Sequence, residues 1–200
     1  MMKRRVEVEV SIAPEAERKI WCWVVASDVE ISGLGAVESA GPTILIPDLV
    51  CLPAQTGSLG HTELDDDAVA ELQVQYARAG RRLGFHFHSH CRMEAFFSAL
   101  DNWNFERLVK FGTPFVAAVF NVQGHVRWRV QTAQGFLTEW NSVIEGDEPS
   151  KAELAQAALD VKQAVRERRW TNYWDEWKDA GIGFKKRGKT RQGQMFRYDV

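Results

Sequence analysis

The sequence predicts an α/β (α+β) domain followed by a helical appendage. Three observations carry that expectation. Short runs rich in β-branched and aromatic residues recur through the first 130 positions, as strands do. Between them lie stretches with helical periodicity, opened by Asp or Ser and in one case closed by glycine. After Glu145 the composition turns linker-like and then helical. A chain of 200 residues suffices for one core with such an addition, but falls short of the roughly 250 residues that an eight-stranded (β/α) barrel needs. The expected division is one main domain over residues 1–144 and, over 145–200, a linker, an amphipathic Trp-rich helix and a basic tail.

Taken in order, residues 4–12 alternate apolar and charged side chains, the pattern of a strand with one wet face, before Pro14 and Glu15 interrupt it. Ile20 to Val25 is apolar on both faces and fits a buried strand or a buried helical turn equally well. Glu30-Ile31-Ser32-Gly33-Leu34-Gly35 follows, and its glycines imply close backbone approach or a bulge. Thr43 to Pro53 is strand-like, with Pro47 and Pro53 sending it to an edge or a bend. Gln55 to Thr62 reads as a polar loop with His61 exposed. Asp65-Asp66-Asp67 opens a helix that Gly80 ends, the acids offsetting the helix dipole. Gly84 to His90 is a buried strand and Ser98 to Val109 a helix. Phe115 to Asn121 is another buried strand, and His125 to Val130 returns from it through a turn at Gln123-Gly124. Ser150 and Glu153 form a capping box for a helix over residues 151–179. Leu154, Ala158, Val161 and Val165 mark one face of it, continued by Trp170, Tyr173, Trp174 and Trp177. That face is expected to pack on its own domain, with docking of a partner protein as the alternative.

Composition narrows the function classes. A net charge of −2 announces no nucleic-acid partner, and the basic run Lys185 to Arg191 reads as a solvated tail. Cys22, Cys51 and Cys91 show no pairing pattern, which suggests a reducing compartment. No apolar run approaches membrane-spanning length, and the charged alternation from Val6 to Val10 breaks any signal-peptide core. The expectation is a soluble, cytoplasmic protein.

The chemistry gathers at Gly84-Phe85-His86-Phe87-His88-Ser89-His90-Cys91 and the Ser98 and Asp101 beyond it. Side chains two apart on a strand share a face, so His86, His88 and His90 point the same way. His88 and His90 can grip one metal ion, and Asp101 can add an oxygen from the next element. Ser98 and Asp101 lie on one face of the helix that they open. Two His and one Asp leave a tetrahedral ion one position short, the mark of a catalytic site open to water. Glu30 is the candidate base, and His86 is left as a neighbouring or wall residue. Alternating histidines that merely face solvent would require neither Glu30 nor the spaced Ser98 and Asp101.

His88-Ser89-His90, seven residues, then Ser98-Ala99-Leu100-Asp101, with Glu30 upstream, resembles the JAMM motif of the JAB/MPN metalloproteases. The similarity covers about residues 18–130. Cys91 stands where the family often has proline, and Met93 with Phe96 or Phe97 is similar to a variant found in bacterial and phage-associated members. The resemblance implies the MPN fold, a curved mixed sheet flanked by helices. It also implies a zinc-dependent isopeptidase or peptidase acting at the C-terminal tail of a ubiquitin-like protein. His88, His90 and Asp101 would hold Zn²⁺, Glu30 would be the general base, and Ser98 would donate to the oxyanion. The competing expectations are a non-catalytic MPN scaffold and a phage-tail or DNA-associated JAB-like protein.

Overall fold

The computed structural model describes residues 9–40, 43–109, 114–132 and 137–167. The chain divides into a unit Met1–Arg168 and a unit Arg169–Val200. The second lies outside the described residues, and with it the expected stripe from Trp170 to Trp177 and the basic run from Lys185. The first unit runs in the order β1 (Glu9–Ile12), α1 (Pro14–Ala26), β2 (Ser32–Ala36), β3 (Glu38–Ala40), β4 (Thr43–Ile46), β5 (Val50–Cys51), β6 (Gln55–Ser58), β7 (His61–Leu64), α2 (Asp66–Arg78), β8 (Leu83–Ser89), α3 (Ala99–Val109), β9 (Phe115–Phe120), β10 (His125–Gln131), β11 (Leu137–Val143), α4 (Lys151–Ala164) and β12 (Val165–Glu167). It is a mixed α+β structure with four helices among the described residues.

A six-stranded sheet in the order β11-β10-β9-β8-β2-β5 forms the frame. It is mixed: β8 and β9 run parallel, while β2 pairs antiparallel with β8. Period-two alternation assigns the two faces of β8. Phe85 and Phe87 are fully buried on one face with Val116, Ala118, Phe120, Val126 and Trp128. Against that face lies α1, whose Trp23 stacks on Phe87 with ring centroids 6.2 Å apart. The intervening His86 and His88 therefore emerge on the opposite face, where α3 sets Phe105 against Ala117. A strand with two apolar faces could not present histidines; this one does because its alternation is aromatic on one side and imidazole on the other.

Of the two readings open for Ile20 to Val25 the helical one holds, and Pro14 starts that helix at its first turn, where its missing N–H costs nothing. Other expectations change on folding. Gln55 to Thr62 is not a loop but a hairpin, β6–β7; its polar side chains hide the strand pattern, and Gln55 is nonetheless buried. Leu137–Val143 is a strand that the sequence pattern missed, paired along β10 from Leu137↔Gln131 to Val143↔His125. It is held by Trp140 stacked on Trp128 at 5.9 Å and by Glu139 between Arg127 and Arg129. The helix expected over 151–179 stops at Ala164, because β-branched Val165 enters an extended conformation and pairs in parallel with β6. On α4 the buried position is Ala157, and Ala158 is exposed, contrary to the expected face. This helix packs on α1: Arg18 binds both carboxylate oxygens of Glu153 at 2.8 and 3.0 Å, and Trp23 Nε1 donates to Asp160 at 2.8 Å. The first unit thus continues past the boundary expected at 145.

Candidate metal centre

Each functional side chain is held by its own local device. His88 is the penultimate residue of β8, braced between β2 at Ser32 and β9 at Val119. His90 lies just past the strand end, where its N–H donates to the Phe120 carbonyl at 2.9 Å. Its ring Nδ1 lies 2.9 Å from the Glu94 carbonyl oxygen. A backbone carbonyl can only accept, so Nδ1 carries the proton and a neutral ring turns the Nε2 lone pair toward His88. Ser98 and Asp101 form a reciprocal capping box at the start of α3: Ser98 N donates to Asp101 Oδ2 at 2.7 Å, and Asp101 N donates to Ser98 Oγ at 3.2 Å. The motif spacing of Ser-x-x-Asp is thus a helix start that fixes a ligand, with the Ser98 side chain and backbone N–H both bonded to the Asp101 carboxylate.

The three side chains converge. His88 Nε2 lies 3.3 Å from His90 Nε2 and 3.5 Å from Asp101 Oδ2. All three donor atoms lie within 4.8 Å of one another. Ligands about 2.0–2.1 Å from a tetrahedral ion stand roughly 3.3 Å apart, so the donor set fits a divalent ion of zinc's size.

Glu30 is 5% exposed. Burial, and then the nearby Asp101 charge, raise its carboxyl to about 7. Burial also raises that of Asp101, but its hydrogen bond to His88, the His88 charge and the bonds from Ser98 outweigh this and hold it well below the usual carboxylate range. Two carboxyl groups in one site are thus driven apart, one toward a proton acceptor working near neutrality and one toward a permanent anion. Burial first, then His88, lowers His86 to about 4, so it is neutral. His86 lines the groove beside His88, ring centroids 6.0 Å apart, and is not among the converging ligand atoms.

Cys91 has φ of +46°, and its carbonyl accepts from Val122 N at 2.9 Å. Proline is locked near −65°, so this loop cannot take the residue that the JAMM pattern often has there. Met93 and Phe96 line the groove, and Phe96 meets the His90 ring edge-on at 4.6 Å. Phe97 turns away under Arg129, whose guanidinium carbon lies 4.0 Å from its ring. Sequence reasoning missed two supports. Ser89 Oγ accepts from Ile31 N at 3.0 Å, beside the base, and Asn121 Nδ2 donates to the Met93 carbonyl at 3.0 Å. Ser89 sits inside the motif, and only its burial marks it; Asn121 carries no sequence signal.

The centre opens on a groove of about 1110 Å³. One wall is β7 and the start of α2, with Gly60, Leu64, Asp66 and Val69; the other is Met93, Phe96 and the α3 face of Leu100, Asn104 and Arg107. No helix among the described residues is long and apolar enough to cross a membrane.

No family model and no curated protein matches the chain. In structure it is similar to the solution structure of protein DSY2949 from Desulfitobacterium hafniense, at 16% identity over 72% of this chain and 96% of that one, with a TM-score of 0.48. A likeness of that size assigns no activity. The class that the site itself defines is a mixed α+β protein with a candidate His-His-Asp metal centre at the floor of a groove.

Proposed function

We propose that this protein is a metal-dependent amide hydrolase of the JAMM type, with an MPN fold, cleaving a peptide or isopeptide bond at the C-terminal tail of a ubiquitin-like protein. The observation that carries the reading is the juxtaposition of three converging ligand atoms with a buried glutamate whose carboxyl is pushed to about 7. Zinc, when held by His88, His90 and Asp101, would acidify water and polarise the scissile carbonyl. Glu30 takes the proton of the attacking water and returns it to the leaving amine, a role that suits a carboxyl near the working pH. Ser98 Oγ, which accepts from Asp101 N, donates a hydrogen bond to the developing oxyanion by turning its hydroxyl from the Asp101 carboxylate.

The groove supports a chain-like substrate. β7 is an edge of its three-stranded sheet, in the order β12-β6-β7, and it lines the groove, so an extended tail can add to it as a strand through main-chain hydrogen bonds. The test is incubation of the zinc-loaded full chain with a panel of ubiquitin-like proteins fused through their C-terminal tails to a reporter. Release of the reporter that stops with chelator and returns with zinc is expected. A chain that binds zinc and cleaves none of them, with Glu30→Gln indistinguishable from wild type, would sink the reading.

A further inference from the structure

The base of this reading stands where the regular sheet gives out. Glu30 and Ile31 precede β2, and on the outer edge of β2 the strand β5 pairs only with Leu34 and Gly35. Two residues before Leu34, both backbone groups of Ser32 are taken by a single side chain. Gln55 Oε1 accepts from Ser32 N at 2.7 Å, and Gln55 Nε2 donates to Ser32 O at 2.8 Å. A side-chain amide here does what a neighbouring strand would do. Nε2 also donates to Pro53 O at 3.0 Å, and Oε1 accepts from Thr62 Oγ1 at 2.9 Å, so the amide's full capacity of two donors and two acceptors is used. Gln55 is 4% exposed. Such an amide can be neither turned over nor withdrawn without breaking all four bonds.

The same hairpin then lies directly on Glu30. Glu30 N donates to Ser58 O at 2.8 Å. A β-carbon at Gly57 would lie 2.5 Å from the Glu30 carbonyl oxygen and 3.0 Å from Val29 Cγ2. Only glycine lets the two backbones approach so closely. On the far side β12 pairs with β6 in register, Val165 opposite Gln55 and Glu167 opposite Gly57.

We propose that the β6–β7 hairpin is a strap that sets where the Glu30 carboxylate sits relative to His88, His90 and Asp101, with Gln55 and Gly57 as positioning residues. The inference rests on the metal-hydrolase reading. It separates from general stability because Gly57 abuts Glu30 and Val29 and none of the ligand supports, which are β9 at Val119 for His88, Phe120 O and Glu94 O for His90, and the capping box with Ser98 for Asp101. Disturbing the strap at Gly57 therefore moves the base and leaves the ligand set. A misplacement of about 1 Å in such a group is enough to cost roughly 100-fold in rate.

The test loads the full-length chain with cobalt(II), whose visible d–d bands respond to the groups around the ion's ligands. Wild type, Glu30→Gln, Gly57→Ala, Gln55→Ala and the hairpin-tip control Leu59→Ala are compared at one pH for cobalt content, spectrum and melting temperature. Gly57→Ala and Gln55→Ala are expected to bind cobalt as wild type does and to shift the bands toward the Glu30→Gln spectrum, while Leu59→Ala keeps the wild-type bands. Should Gln55→Ala fail to fold, Gly57→Ala decides alone. A Gly57→Ala spectrum like wild type beside a shifted Glu30→Gln spectrum would overturn the strap and leave the metal reading standing. Loss of cobalt in step with melting would also overturn it, by making the hairpin a support of the whole fold. An unshifted Glu30→Gln spectrum would overturn both readings.

Discussion

Glu30→Gln, read in the metal-free protein, isolates the desolvated carboxylate. A carboxyl held at about 7 in the folded chain, against 4.5 in an ordinary setting, binds its proton more tightly folded than unfolded. Stability from this group is therefore complete below about 4.5 and is lost as pH rises through 7. Each tenfold change in proton affinity corresponds to about 1.4 kcal/mol, so the loss at pH 8 is about 3 kcal/mol. His86, lowered to about 4 by burial, gives the opposite slope between 4 and 6.5, and His90, lowered chiefly by burial, has the same sign. Both are common to the two proteins and cancel in the comparison. Urea unfolding of chelated wild type and Glu30→Gln at pH 4.5 and pH 8 supplies the numbers. The variant should gain on wild type by about 3 kcal/mol between those pH values, and zinc should shrink the gap by placing a cation beside the carboxylate. A stability difference that stays constant with pH would refute the argument that burial has tuned Glu30.

Two further outcomes follow from the same geometry. Ser98→Ala should keep zinc but lower kcat by roughly 100- to 1000-fold if Ser98 donates to the oxyanion, with about 1 kcal/mol of stability lost with its half of the capping box; an unchanged kcat in circular-dichroism-matched protein would remove Ser98 from the chemistry. Deleting residues 150–200 strips α4 and β12 from α1 and β6 and should cost several kcal/mol relative to deleting 169–200 alone, since it removes Ala157, Val161 and Val165 from the core and uncovers Trp23; equal melting temperatures for the two truncations would show that α4 is not part of the stabilising core.

How much of this was legible before folding depends on whether the signal was local. His88, His90, Ser98 and Asp101 could be read together because a strand repeats every two residues and a helix start every three or four, so sequence spacing alone fixes their faces. Their convergence in space, and the burial of Glu30, come from pairing Ser32 with His88 across strands more than fifty residues apart, which only the resemblance to a known motif anticipated. The hairpin at Gln55 was lost for a different reason. Its inward side chain is polar, and what makes it a core position is a set of four hydrogen bonds with no hydrophobic trace. The strand Leu137–Val143 was hidden likewise by Thr138 and by Glu139 and Asn141, and the partners of the latter two, Arg127 and Arg129, lie across the sheet. At the far end, helical periodicity continued through Val165, but an open edge on β6 outweighed it.

The central claim is that His88, His90 and Asp101 hold a catalytic zinc ion, and metal content tests it most directly. Purified wild type, reconstituted with zinc and freed of loose metal, is measured by inductively coupled plasma mass spectrometry beside His88→Ala and the His88→Ala, His90→Ala double variant. The account predicts about one zinc per wild-type chain, its loss in both variants, and far-ultraviolet circular dichroism unchanged from wild type. A double variant that keeps a full equivalent of zinc would contradict it.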